Sequence, residues 1–94
     1  MNGAYNVDSR LIRAGRIILG WSQAELAERA GVQRLVVARY ETDVQVPHPR
    51  TMASLVAALR VGGIEEIVRD DGATGIVLRA DVYARGKLDT KNDA

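Results

Sequence analysis

The chain of 94 residues has no cysteine, no phenylalanine and a single histidine. Without cysteine there are no disulfides and no thiolate metal sites, and nothing calls for an oxidising compartment. One histidine, His48, excludes a multi-histidine metal cluster. With only Trp21 and three tyrosines as aromatics, the core has to be aliphatic, built from Leu, Ile, Val and Ala. No apolar run approaches the roughly 18 residues of a membrane span, and no charged-then-apolar signal segment opens the chain. A cytoplasmic protein without a membrane partner is the expectation.

Catalytic patterns are also missing. A serine nucleophile needs a base, and the one histidine sits between Pro47 and Pro49, where a loop or cap role fits better. The acidic group Glu65, Glu66, Asp70 and Asp71 lacks calcium-loop spacing and reads as a solvated hairpin edge. No G-x-x-x-x-G-K occurs, so G-G at 62–63 and G-A-T-G at 72–75 are turn chemistry. Neither enzyme activity nor a cofactor or metal is expected.

What is present is an ordinary globular composition, 47% hydrophobic and 27% charged, in a length that fits one domain. The net charge of +1 hides an asymmetry. Residues 1–60 carry eight arginines against five acids (+3), whereas residues 61–94 carry five bases against seven acids (−2). A basic front half suits a protein that touches a polyanion with one part only.

Along the chain, residues 1–8 read as a loose leader. Asp8 or Ser9 caps a first helix with Ile12, Gly15 and Leu19 on one face and Leu11 and Ile18 beside it. Gly20 stops it. Ser22 and Glu25 form an S-x-x-E capping box for a second helix, which buries Leu26, Ala27 and Ala30 and ends at Gly31. Val32 enters the core, and a third helix follows over about 33–40, with Val36 or Val37 and Tyr40 inward. A proline-bounded loop leads to a fourth helix, opened by Pro49 and striped by Met52, Leu55, Val56 and Leu59. Beyond Gly62 and Gly63 the period changes: I-E-E-I-V and I-V-L-R-A flank a turn-rich centre, which predicts a β-hairpin. The expected fold is mainly α, a compact bundle of four to five helices over 9–61, then a hairpin extension over 62–84 and a disordered tail over 85–94.

The functional pattern lies in W-S-Q-A-E-L-A-E-R-A-G-V-Q-R-L-V-V-A-R-Y-E, residues 21–41. A helix-turn-helix must turn steeply in few residues. Gly31 can take a positive φ without a Cβ clash, and Ala27 is small where two helices approach. The outward face of the third helix then carries Gln33, Arg34, Leu35, Ala38 and Arg39. Arg pairs bidentately with guanine, Gln with adenine, and an apolar side chain meets a thymine methyl. The start of the second helix, at Ser22 and Gln23, offers free N–H groups and a positive dipole end to a phosphate. Arg16 and Glu41 are expected to pair between the first and third helices, worth at most about 1 kcal/mol if partly exposed. Trp21 is expected to pack at the helix junction.

S-Q-x-x-L-A-x-x-A-G-V, followed by Y-E and then P-x-x-x-T-M-x-x-L, resembles the lambda-repressor-like (Cro or XRE type) helix-turn-helix regulators of bacteria and phages. The resemblance covers about residues 9–59, and the trailing segment is similar to a bacterial subgroup with a short hairpin. It implies a transcriptional regulator that binds a palindromic DNA operator as a homodimer. By that resemblance Arg34, Leu35 and Arg39 face bases, Gln33 reaches a base or the backbone, and Gln23 and Arg50 hold phosphates. Two features depart from the pattern: L-V-V at 35–37 is apolar for a DNA-facing segment, and the loop 43–46 is less basic than usual. The hairpin, through Ile64, Ile67, Ile76 and Leu78, is the candidate for dimerisation. The rival reading is a protein-interaction module on the same fold, such as an antitoxin neutralising a toxin, and a polymerase partner is compatible with the regulator reading.

Overall fold

A computed structural model describes residues 9–42 and 48–82. The expected leader, the weakly basic loop and the tail over 85–94 lie outside the described residues. Four helices and two strands follow in order: α1 (Ser9–Ile18), α2 (Gln23–Ala30), α3 (Arg34–Glu41), α4 (Pro49–Gly62), β1 (Ile64–Val68) and β2 (Thr74–Leu78). Residues 80–82 are again helical.

The core is aliphatic, as the composition demands. Ile12, Leu26, Val37 and Leu55 are fully buried, one from each helix, and Ala27, Tyr40, Val56, Ala58, Leu59 and Ile64 close around them. Leu11, Leu19, Trp21, Val32 and Met52 pack on its margin. Ile18, expected beside the buried stripe, instead points outward. It lies at the last helical residue, one position short of Leu19, which takes the inward place.

Local chemistry sets each boundary. The Ser22 hydroxyl accepts the Glu25 N–H at 3.0 Å, which satisfies one orphan donor of α2. The reciprocal half of the capping box is not made; the Glu25 carboxylate bonds Arg29 one turn on through Oε2. Gly31 closes α2 at φ 73°, donating to the carbonyls of Ala27 and Glu28; a residue with a Cβ is strained there. Gln33 is not the first helical residue but an extended N-cap (φ −79°, ψ 146°) without a side-chain cap bond, so α3 runs one residue later than expected. His48 caps α4, its Nδ1 accepting the Arg50 N–H at 3.2 Å, with Pro49 in the first turn.

The hairpin is antiparallel, with Ile64 opposite Leu78, Glu66 opposite Ile76 and Val68 opposite Thr74. Arg79 donates to the Gly63 carbonyl and Arg69 to that of Ala73. Cross-strand hydrogen bonds therefore fall on the pairs 63/79, 65/77, 67/75 and 69/73. One face, with Ile64, Ile76 and Leu78, lies on the helices; Ile67 and Val77 turn outward. The four expected dimerisation residues thus divide: three serve the chain's own core and Ile67 alone stays exposed. The hairpin shares one core with the helices.

Glu66 corrects another expectation. It is no solvated edge carboxylate: it lies on the helix-facing side, largely covered, and accepts two hydrogen bonds from Arg60 of α4 at 2.7 and 2.9 Å. Burial is the largest single influence and pushes its carboxyl up, but the Arg60 hydrogen bonds, a bond from its own backbone N–H and the Arg60 charge together outweigh it and hold the carboxyl below the ordinary carboxylate range. A depressed folded pKa contributes stability above the unfolded value, lost as pH falls through the folded one. Arg60→Met removes the Arg60 bonds and charge while burial stays, so the Glu66 midpoint should rise above that of the wild type, measured by NMR titration of its side-chain carboxyl carbon.

Gly62 is required for space, not for φ. A Cβ built there falls 2.6 Å from Cη2 of Trp21 and 2.8 Å from Leu19 Cδ1. Trp21 thus wedges between α1 and the end of α4, with Arg29 over its ring at 4.4 Å. Gly62→Ala should destabilise the fold by about 1–3 kcal/mol, read as a lowered urea midpoint followed by Trp21 fluorescence.

Candidate nucleic-acid interface

Helices α2 and α3 meet at one surface, where Gln23 of α2 bonds Arg34 of α3. On α3, Val37, Tyr40 and Glu41 face inward, which leaves Arg34, Leu35 and Arg39 exposed with Ala38 half-covered between them. Gln33 stands exposed at the cap before them. The run L-V-V divides by helical rotation: Val37 is fully buried, Val36 intermediate, and Leu35 is 46% exposed.

Behind that surface runs a chain of side-chain hydrogen bonds. Arg16, on α1, donates from Nε and Nη2 to the two Glu41 oxygens at 2.7 and 2.9 Å, and from Nη1 to the Trp21 carbonyl at 2.8 Å. Glu41 also accepts from Gln23 Nε2 at 3.2 Å. The Gln23 carbonyl oxygen accepts from Arg34 Nη1 at 3.3 Å. The Glu41 side chain is 2% exposed and that of Arg16 12%, so the pair is buried, and the small energy appropriate to an exposed pair does not apply. The hydrogen bond to Glu41 holds the Arg16 guanidinium above its ordinary value against the opposing effect of burial.

Several consequences follow chemically. Gln23 sits at the first position of α2, its amide fixed by Glu41 on one side and Arg34 on the other. Of its two amide hydrogens one is committed to Glu41, which leaves the second for a ligand. Ser22 accepts a backbone N–H and keeps its own hydroxyl proton to donate. Arg34 uses one of its five donors inward and keeps the remainder of its fork outward. The α2 N-terminus adds N–H groups aimed at an anion.

A family model described as helix-turn-helix matches residues 12–65, more than half of the chain. The chain belongs to the lambda-repressor-like (Cro/XRE) helix-turn-helix family. No curated protein matches it significantly. This family is one of DNA-binding regulatory domains and not of enzymes. Within the family arrangement α2 and α3 are the two helices and Gly31 their turn. Among the described residues no helix is long and apolar enough to cross a membrane, and no cluster of three or more His, Asp or Glu is placed to hold a metal ion.

Of the candidate contact residues, the fold brings Gln23 and Arg34 into direct contact, sets Leu35, Ala38 and Arg39 on the same helix as Arg34, and leaves Gln33 at the N-cap before it. Arg50 stands apart, exposed in the first turn of α4, with its side chain in none of the bonds of the Gln23 chain. Sequence reasoning missed that Gln23 links the buried ion pair to Arg34. The signal was available only as spacing: Gln23 and Glu41 are 18 residues apart, and nothing local in the sequence joins them. Glu41→Ala, which strands the Arg16 charge, should cost about 3–5 kcal/mol, whereas Arg16→Met combined with Glu41→Leu should cost less than that single change. Chemical denaturation of the three proteins checks both.

Proposed function

We propose that the chain is a sequence-specific transcriptional regulator that binds a palindromic DNA operator as a homodimer. Helix α3 enters the major groove of each half-site, the two half-sites lying about 10 bp or a multiple apart. Arg34 and Arg39 read guanine edges, Gln33 reaches a base or the backbone, and Leu35 with Ala38 meets thymine methyl groups. Ser22 and Gln23 hold one phosphate at the α2 N-terminus, and Arg50 holds another. The regulator acts by occupying its operator, so that polymerase is blocked or recruited.

The observation that carries this reading is the exposed Arg34 tied through Gln23 to the buried Arg16–Glu41 pair. Such a chain presents a guanidinium in a defined direction, which solvation alone does not call for. One observation favours a second reading, a protein-interaction module of the antitoxin or adaptor kind: Leu35 exposes nearly half its surface in the middle of this face.

Selection from a random duplex pool should return a palindrome. On that site Arg39→Ala should lose about 1–3 kcal/mol and relax preference at one position per half-site, with the fold unchanged. Arg50→Ala should weaken all sequences alike and reduce the salt slope by about one per subunit. Mobility-shift titrations at several salt concentrations read both. An adaptor shows no such binding at any salt.

A further inference from the structure

The two strands of the hairpin have different outer edges. Since the cross-strand bonds fall on 65/77 and 67/75, the N–H and C=O groups of the intervening residues point away from the partner strand. On β1 these are Ile64, Glu66 and Val68; on β2 they are Thr74, Ile76 and Leu78. Among the described residues no hydrogen bond reaches the outward groups of β2.

Edges left open are normally guarded by charge. β1 is guarded: it carries Glu65 and Glu66, and Arg60 reaches over to Glu66. β2 reads Thr-Gly-Ile-Val-Leu, without a single charge. From these features we propose that β2 pairs with β2 of a second copy, antiparallel about a two-fold axis at Ile76, giving a four-stranded sheet in the order β1-β2-β2-β1. This rests on the homodimer reading above and names its interface.

The register follows from the parity of the bonds. Ile76 faces Ile76 of the second copy, and Thr74 faces its Leu78; all three are residues whose polar groups point outward. Each such pair exchanges two bonds, so the seam uses every open group of the strand. The same operation on β1 sets Glu66 directly against Glu66, which like charge disfavours. Side-chain shape agrees. On the outward face Val77 falls opposite Gly75 of the second copy, where there is no Cβ to meet. Ile67, 47% exposed, lies beside its own Gly75. Val77 of one protomer thus closes over Gly75 of the other and against its Ile67, covering apolar surface that the single chain leaves in water.

The test is the mass of the full chain in solution without DNA, by sedimentation equilibrium across a concentration series. The wild type should approach twice the chain mass of 10.2 kDa. Thr74→Pro removes an outward N–H and no intrachain bond, and should raise the dissociation constant roughly tenfold or more. Val68→Pro removes the equivalent N–H from the β1 edge, at the same end of the ladder, and should dimerise as the wild type does. Val77→Glu, which keeps every hairpin bond, should dissociate as Thr74→Pro does. A monomeric wild type overturns the proposal, as do Thr74→Pro or Val77→Glu dimers of unchanged strength, or equal losses in Thr74→Pro and Val68→Pro. Far-ultraviolet circular dichroism and Trp21 fluorescence confirm that each variant is folded. Binding to a duplex with one half-site separates the two readings: folded Thr74→Pro should retain it, and loss of DNA binding by a dimeric wild type would sink the operator reading alone.

Discussion

The Arg16–Glu41 pair fixes where α3 can lie. Glu41 closes α3, Arg16 lies near the end of α1, and the carbonyl that Arg16 also binds belongs to Trp21, just before α2. Three elements therefore meet on two side chains. Taking two charges out of water is expensive, and attraction repays it only when the remaining donors and acceptors are satisfied. Here both carboxylate oxygens and three guanidinium nitrogens are bonded. The fork on the carboxylate is directional, and Gln23 links it to Arg34 at the surface.

The helices were legible because their periodicity and their stops agree. Leu26-Ala27, Val37-Tyr40 and Leu55-Val56-Leu59 are spaced for one buried face each, and Ser22, Gly31 and Pro49 mark ends by chemistry that needs no tertiary context. The hairpin was legible only as a hairpin. I-E-E-I-V does not alternate because Glu66 shares a face with Ile64, and an acid is tolerated there only through Arg60, six residues earlier on α4. A strand pattern read alone cannot include a partner from a helix. For the same reason Ile64, Ile76 and Leu78 looked available for another copy when the chain's own core already claims them. On the recognition face, the outward residues of α3 were legible from rotation about the helix, while the link from Gln23 to both Glu41 and Arg34 exists only in three dimensions.

The apolar run at 35–37 shows how one stretch serves two demands. Successive residues on a helix are about 100° apart, so Leu35, Val36 and Val37 point outward, sideways and inward in turn. Val37 is a core residue by that rotation, and its neighbours need not be. The departure from a polar recognition face therefore narrows to Leu35. An apolar group there, flanked by Arg34 and Arg39, is compatible with a thymine methyl contact beside guanine edges and equally with a protein interface.

The charge asymmetry of the sequence becomes spatial in the fold. The hairpin packs on α1 and α4, whereas the candidate nucleic-acid face belongs to α2 and α3. Glu65, Asp70 and Asp71 are exposed on the hairpin, so these three acids, which would repel phosphate, belong to an element that packs on other helices. The separation also keeps the two proposed contacts from competing. The proposed DNA readout would use side chains of α2, α3 and the start of α4; the proposed pairing at β2 would use backbone groups that the side-chain network never touches. A change at either surface can then leave the other intact, because what joins them is the rigid aliphatic core and not a shared hydrogen bond.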